Sequence, residues 1–135
     1  MSRRLVVDAS ALMAILLDPD ERVGHVGALM SSRQMHAPSL LPYEIANALR
    51  RLRAAGIVSA SEATAAHVQL RQLAVQYWPY EVLADRGWEL GGALTAYDAA
   101  YVALAERLDA PLVTADQRLA RAPGLRCEVV AVRAP

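Results

Sequence analysis

Two short apolar runs, each closed by an aspartate, constrain the fold of this chain more than any other feature. One run covers residues 4–8 and ends in Asp8, and the other covers residues 112–116 and ends in Asp116. Continuous apolar runs of this length are typical of strands that are covered on both faces of a sheet. If the two strands are parallel neighbours, both aspartates lie at the same edge of that sheet.

The remaining segments alternate between helical and strand-like patterns. Helices are predicted over residues 10–17, 20–32, 41–55, 60–73, 82–94, 96–108 and 116–121, and strands over 4–8, 36–38, 77–79, 112–114 and 128–132. This alternation predicts an α/β fold with a mostly parallel central sheet of about five strands flanked by helices. Ligands of such sheets bind at the carboxyl ends of the strands, where the sequence places both aspartates.

The composition limits the class of protein. A chain of 135 residues that is 55% apolar is expected to form one domain over residues 1–135 and to bury a core. Its apolar runs are interrupted by charge, so no membrane span is predicted, and the single Cys127 cannot form an internal disulfide. A cytoplasmic protein is the expectation. The chain has no lysine, which excludes phosphate-loop, Schiff-base and Ser-Lys chemistry.

Four carboxylates, each at the end of an element or at the margin of an apolar stripe, are candidate ligands: Asp8, Glu44, Asp98 and Asp116. Each also has a structural interpretation. The two strand-end aspartates could be N-caps, and Asp98 could form a capping box with Thr95. Glu44 could be a first-turn acid favoured by the helix dipole, although helical periodicity places it beside the buried face, on the same side as Arg51.

Convergence of the four acids would favour a cation. Crowded carboxylates repel one another, and hard oxygen ligands without a histidine or cysteine cluster suit Mg²⁺ or Mn²⁺ rather than zinc. The three histidines lie far apart in the sequence and have no ligand spacing. A carboxylate-held Mg²⁺ without a nucleotide-binding loop indicates phosphodiester hydrolysis.

The residues around these acids resemble a known family. Residues 6–12, 42–49, 95–105 and 112–119 are similar, in order and spacing, to the four motifs of PIN-domain ribonucleases, and more specifically of VapC-type toxins from bacterial toxin–antitoxin pairs. The resemblance covers nearly the whole chain and implies a PIN-like three-layer fold. It also implies a metal-dependent catalytic set formed by Asp8, Glu44, Asp98 and Asp116.

The resemblance carries further expectations for activity and partners. It implies a Mg²⁺- or Mn²⁺-dependent endoribonuclease that cleaves structured RNA such as tRNA or rRNA, arrests translation and is neutralised by a VapB-type antitoxin. A homodimer is also implied. Ser10 and Thr114 would orient a ligand or a water, and the fourth acid often acts through water in this family. Arg51 and Arg118 lie nearest the predicted site and are the candidate RNA contacts.

Two other interpretations compete with this one. A phosphoacceptor α/β domain would need a lysine, and the related phosphatases would need an acid at the position of Ser10. The alternative that remains is a catalytically silent PIN-like module that binds RNA or protein. Tyr97 and Tyr101, at helical spacing, are expected to lie in the core rather than to stack on bases.

Overall fold

The computed structural model describes residues 3–18, 20 and 24–132, and five parallel strands form a sheet at its centre. In chain order the strands are β1 (Arg4–Val7), β2 (Gln34–Pro38), β3 (Val75–Trp78), β4 (Leu112–Thr114) and β5 (Val129–Ala131). Across the sheet their order is β3-β2-β1-β4-β5, and every neighbouring pair is parallel. The predicted α/β fold is confirmed, and this sheet is parallel throughout.

The two apolar runs that end in Asp8 and Asp116 form neighbouring strands, β1 and β4, within the sheet. Val6 of β1 lies opposite Leu112 of β4, and Val7 lies opposite Val113. The backbone N–H of Asp8 donates to the Val113 carbonyl at 3.1 Å, which extends the ladder one residue beyond β1. Apart from the first residue of β1, the side chains of both strands are buried, as expected for strands covered on both faces.

Helices connect the strands and cover the sheet. They are α1 (Ala9–Leu17), α2 (His25–Ser31), α3 (Leu41–Ala54), α4 (Ala60–Gln72), α5 (Ala84–Glu89), α6 (Ala96–Leu108) and α7 (Gln117–Ala120), with a 3₁₀ turn at Tyr80–Val82. Within the described residues, none of these helices combines the length and the apolar character that a membrane-spanning segment requires.

Local capping signals mark ends of the three longest helices. Ser59 and Glu62 form the predicted capping box at the start of α4, with both reciprocal hydrogen bonds present. Thr95 caps α6, which ends at Asp109 in the left-handed conformation with φ of 49°. Gly56 has φ of 74° just after α3, a backbone conformation that glycine adopts at little cost.

Two predicted helices differ from the structure. The helix expected over 82–94 is only α5, six residues long, preceded by a 3₁₀ turn and followed by turns through Gly91 and Gly92. Leu83 and Leu90, at the two ends of α5, are buried, so the core fixes both ends while the glycines favour a turn. The helix expected over 20–32 is α2 from His25 onward, and residues 21–23 lie outside the described residues.

The strand order creates a reversal beside β1. The chain builds β1, β2 and β3 toward one edge and then crosses to β4 and β5 on the other side of β1. Because parallel crossovers are right-handed, α1 to α4 belong to one helical layer and α5 to α7 to the other. The contacts of α1 with α3 and α4, and of α6 with α5, agree with this division. The carboxyl ends of β1 and β4 therefore flank a crevice between the layers, where ligands of open α/β sheets bind.

Candidate active site

Asp8 follows β1 directly, and three donors hold its carboxylate at the mouth of the crevice. It is the N-cap of α1, with Oδ1 accepting from the Ala11 backbone N–H at 3.0 Å. Ser10 Oγ also donates to Oδ1 at 2.7 Å, and the Thr114 hydroxyl donates to Oδ2. Asp8 is 6% exposed, so it caps a helix and also presents a nearly buried, well-oriented carboxylate.

The hydroxyls of Ser10 and Thr114 organise the ends of β1 and β4. Ser10 Oγ accepts from the Ala115 backbone N–H at 2.9 Å, and Thr114 Oγ1 accepts from the Asp116 backbone N–H at 3.0 Å. Each hydroxyl has one proton, and each gives it to Asp8. The two side chains therefore orient Asp8. That they also orient a ligand or a water stays a prediction.

Glu44 enters the crevice from the first helical layer. It lies in the first turn of α3 and is half-buried, in agreement with its predicted place beside the apolar stripe. Tyr101 of α6, which is 2% exposed, donates its hydroxyl to Glu44 Oε1 at 2.5 Å. This hydrogen bond fixes one carboxylate oxygen of Glu44 and joins the two helical layers across the crevice.

Asp98 enters from the opposite layer. It is in the first turn of α6, where its backbone N–H donates to Thr95 Oγ1 at 3.1 Å. Thr95 therefore caps the helix as predicted. The carboxylate of Asp98 is half-buried and lines the crevice. Helix capping and a place in the site are compatible at this position.

Asp116 differs from the other acids because a basic neighbour engages it. It is the N-cap of α7 and accepts from the Arg118 backbone N–H at 2.9 Å. The Arg118 side chain, 89% exposed, forms an ion pair with it through Nη2 and Oδ2 at 3.2 Å. Among the four acids, Asp116 is therefore the one whose charge is compensated by a described ion pair, and a ligand would have to displace the exposed arginine.

All four acids line one cavity of about 270 Å³, which we call the acidic cavity. Its wall is formed by Asp8, Ala9, Ser10, Met13, Glu44, Ala48, Arg51, Asp98, Tyr101 and Asp116. Ser10 and Arg51 were predicted to lie at this place and do so. Thr114 and Arg118 are not part of the wall, but each is bonded to an acid that is.

Three of the four acids of the acidic cavity have no ion-pair partner among the described residues. Burial raises the pKa of the Asp8 carboxyl despite its hydrogen bonds, and the Asp98 charge raises it further. Burial likewise raises the pKa of Glu44 and of Asp98, and neighbouring carboxylates add to both shifts. Only Asp116 has a lowered pKa, because it accepts hydrogen bonds from Arg118. Among the described ion pairs, none includes Asp8, Glu44 or Asp98.

This donor set fits a hard divalent cation in its chemistry. The donors are carboxylate oxygens with hydroxyls beside them, which Mg²⁺ and Mn²⁺ prefer, and their uncompensated charge favours a cation. In the part of the chain that the structure describes, no three acid, histidine or cysteine side chains are grouped closely enough to hold a metal as they stand. Asp8, Glu44 and Asp98 would have to draw together around the ion.

Two aromatic positions near the site differ in part from the sequence interpretation. Tyr101 lies in the core as expected, yet its hydroxyl reaches Glu44, a contact that the sequence interpretation missed. The spacing of three residues from Asp98, which puts both on one helix face, was the available signal. Tyr97 was expected in the core, and this is wrong, because it is 63% exposed. It lies about 40° of helix from the buried Tyr101, on the same side of α6, but in the first turn, where the two preceding residues are also exposed.

Comparison with known proteins agrees with this geometry. The PIN domain model matches residues 5–125. VapC ribonuclease Mb0985 of Mycobacterium bovis is 41% identical over 128 residues, covering 95% of this chain and 98% of the relative. Among solved structures, PAE2754 of Pyrobaculum aerophilum has a TM-score of 0.69 and 27% identity, covering 93% of this chain and 82% of that one.

A second solved structure shares the fold at lower identity. It is a member of the VapBC family of toxin–antitoxin systems, VapBC-5 of Mycobacterium tuberculosis, with a TM-score of 0.62 and 20% identity. The alignment covers 98% of this chain and 100% of that chain. The chain therefore belongs to the PIN-domain family and, within it, to the VapC ribonucleases.

Proposed function

We propose that this chain is a Mg²⁺- or Mn²⁺-dependent endoribonuclease toxin that cleaves structured RNA of the tRNA or rRNA class and thereby arrests translation. One observation carries the proposal: four carboxylates from four different elements line one cavity at the carboxyl ends of β1 and β4. Asp8, Glu44, Asp98 and Asp116 are the proposed catalytic and metal-binding residues. The name of the M. bovis relative, a VapC ribonuclease, supports the same activity.

The residues of the chain prepare the site in distinct ways. The donors from Ser10, Thr114 and Ala11 hold Asp8 in one orientation, so its oxygens are positioned before a ligand arrives. The Tyr101 hydroxyl occupies one oxygen of Glu44 and leaves the other to the acidic cavity. When bound, a divalent ion would polarise the scissile phosphate and lower the pKa of an attacking water. Arg51, on the cavity wall, supplies positive charge for an RNA phosphate.

The proposed partners of this chain are an antitoxin, RNA and a second copy of the chain. A VapB-type antitoxin is the expected inhibitor, and the VapBC-5 neighbour is described as part of such a toxin–antitoxin family. Arg51 and Arg118 are the proposed RNA contacts. Arg118 would bind phosphate only after leaving Asp116, which its exposure permits. A homodimer in the cytoplasm is the proposed working form, and light scattering of the purified protein tests the dimer.

The decisive experiment is cleavage of total cellular RNA by purified, antitoxin-free protein. The reaction is run with Mg²⁺, with Mn²⁺ and with EDTA, for the wild type and for Asp8→Asn and Asp98→Asn. Discrete fragments that need the metal and that fall at least about 100-fold in both variants are expected, because metal and water positioning are lost. Asp109→Asn is the matched control, since Asp109 is the C-cap of α6, at the other end of the helix from Asp98, and asparagine is tolerated in its left-handed conformation.

The other outcomes separate the alternatives. Full cleavage by a folded Asp98→Asn protein would remove that residue from the proposed catalytic set. RNA binding without any cleavage by the wild type would identify a catalytically silent PIN-like binding module. Fragments that persist in EDTA would contradict metal dependence while leaving the ribonuclease activity in place.

A further inference from the structure

Two exposed tyrosines flank the acidic cavity. Tyr43, 79% exposed, precedes Glu44 on α3, and Tyr97, 63% exposed, precedes Asp98 on α6. Both rings line an open cleft of about 760 Å³, which we call the tyrosine cleft; Glu44, Asn47 and Arg50 also line it. Glu44 belongs to both the tyrosine cleft and the acidic cavity, so the two are adjacent.

These two rings contribute little to the packing of the fold. Within the described residues, neither Tyr43 nor Tyr97 makes a side-chain hydrogen bond or packs against another aromatic ring. Single exposed aromatics are common on protein surfaces, but here two of them, from opposite helical layers, meet at one cleft beside a candidate active site. Exposed aromatic side chains at such a place indicate ligand binding rather than stability.

The lining of the tyrosine cleft suits a nucleotide. Flat aromatic rings stack on nucleobases of any sequence, and the Asn47 amide offers both a donor and an acceptor to a base edge. Arg50 supplies a positive charge for a neighbouring phosphate. A base inside a duplex has both faces covered, so only an unpaired or extruded base could reach these rings.

We propose that Tyr43 and Tyr97 form a stacking site for an unpaired nucleobase of the RNA substrate, next to the nucleotide whose phosphate occupies the acidic cavity. This inference rests on the proposed function and deepens it, because it assigns the residues that recognise a base beside the scissile bond. The site would select where RNA is cut by requiring an unpaired nucleotide there.

The test measures RNA affinity in the Asp98→Asn background with Mg²⁺, so that the RNA stays intact. The probe is a fluorescently labelled single-stranded RNA of about ten nucleotides, with the same strand in a duplex and an abasic strand as comparisons. Tyr43→Ala and Tyr97→Ala are each expected to weaken binding of the single strand at least about fivefold. Tyr43→Phe and Tyr97→Phe should stay within about twofold, because phenylalanine keeps the stacking face.

Two controls isolate stacking from other effects. Tyr80→Ala removes a tyrosine that is 70% exposed and lines neither cavity, and it should leave affinity unchanged. The abasic strand should bind weakly to every form, with no further loss on either alanine substitution. Equal losses on the abasic strand would overturn the proposal, as would losses below about twofold on the single strand. So would alanine variants that bind RNA normally but lose antitoxin binding or change oligomeric state.

The combined outcomes distinguish this proposal from the proposed function. If the wild type cleaves RNA and the alanine variants bind the single strand normally, the stacking site alone is wrong. If the variants lose single-strand affinity but the wild type never cleaves, the stacking site stands and the nuclease activity is wrong. If the parent protein does not bind the single strand although the wild type cleaves cellular RNA, the stacking site is wrong and the proposed function stands.

Discussion

Thr114 is a fully buried residue that serves the fold and the site through one hydroxyl. Its Oγ1 donates to Asp8 and accepts from the Asp116 backbone N–H, so it ties the two strand-end aspartates together. A residue of similar size without an oxygen, such as valine, could satisfy neither partner. The buried hydroxyl at the end of β4 is therefore a requirement of the site rather than a packing choice.

Replacing this hydroxyl should cost stability. We expect Thr114→Val to lower the free energy of unfolding by about 2 kcal/mol, because it leaves a buried carboxylate oxygen and a backbone N–H without their partner. Thr114→Ser keeps the hydroxyl and should lose only about 0.8 kcal/mol for the missing methyl. Urea denaturation of the two variants measures the difference. Equal losses in both would mean that the methyl, not the hydroxyl, matters.

Tyr101 should tune the acid limb of the pH–rate profile. Its hydrogen bond lowers the pKa of Glu44, which burial otherwise raises. In Tyr101→Phe that pKa rises further, so more Glu44 is protonated at a given pH and the acid limb of cleavage moves to higher pH. Losing a hydrogen bond to a charged group also predicts a roughly tenfold lower rate near neutral pH.

The matched variant for this experiment is on the same helix. Tyr97→Phe removes an exposed hydroxyl without a partner among the described residues and should leave the pH profile in place. Rates measured from acid to neutral pH for wild type and both variants make the comparison. A uniform loss in Tyr101→Phe, without movement of the acid limb, would assign Tyr101 a merely structural role.

At the residue scale, the sequence was sufficient to identify the four acids, but not the side chains that contact them. Asp8 and Asp116 could be placed at one sheet edge because strand ends are visible as apolar runs. The Glu44–Tyr101 bond joins residues 57 positions apart and depends on how α3 and α6 face each other, which periodicity alone does not show. The exposure of Tyr97 was missed because it shares a side of α6 with buried residues, and periodicity does not show that the first turn is uncovered.

At the scale of elements, the helix caps give a paired test. Thr95→Ala and Ser59→Ala each remove an N-cap and should each cost about 1 kcal/mol of stability. Of these two helices, only α6 carries a site residue in its first turn. The Thr95 hydroxyl there accepts a hydrogen bond from the backbone N–H of Asp98. We therefore expect cleavage to fall severalfold in Thr95→Ala and to be unchanged in Ser59→Ala. Similar activities at similar stabilities would show that the cap does not position Asp98.

The bounds of helices with a capping residue in the sequence were predicted well. The bounds of helices whose ends are fixed by packing against the core were not. The α6 boundaries follow from Thr95 and the chain reversal after Leu108, and they match the prediction of 96–108. The segment 82–94 has no comparable cap, and its helix is cut to Ala84–Glu89 by packing of its ends and by the glycines that follow. The alternation of strands and helices predicted a parallel sheet, but not which strands are neighbours, because pairing is decided by the crossovers.

For the whole molecule, the acidic cavity predicts how stability depends on pH and metal. The raised pKa values of Asp8, Glu44 and Asp98 mean that the folded protein holds these protons more tightly than the unfolded chain. The contribution of these three acids to metal-free stability is therefore greatest at low pH. It is lost as the pH rises from their unfolded pKa values, 3.8 for aspartate and 4.5 for glutamate, through their raised folded pKa values. Asp116 and Glu106, with lowered pKa values, work in the opposite direction.

Added cation should reverse this loss. We expect Mn²⁺ to raise the melting temperature near neutral pH by several degrees, because it binds only the folded protein and neutralises the acids. The gain should shrink at low pH and in Asp98→Asn. Melting curves at about pH 5 and pH 7, with Mn²⁺ or EDTA, give the four values needed. A melting temperature that is indifferent to Mn²⁺ at both pH values would contradict a cation site formed by these acids.

The central pairing of β1 with β4 also bears on when the protein becomes active during its own synthesis. Asp8 leaves the ribosome early, but Thr114, which completes its hydrogen bonds, and Asp116 follow more than a hundred residues later. A nascent chain that lacks β4 has the first three acids but not the strand that completes the crevice around them. The proposed nuclease thus stays inert toward the ribosome that is making it until the second half of the sheet has been added.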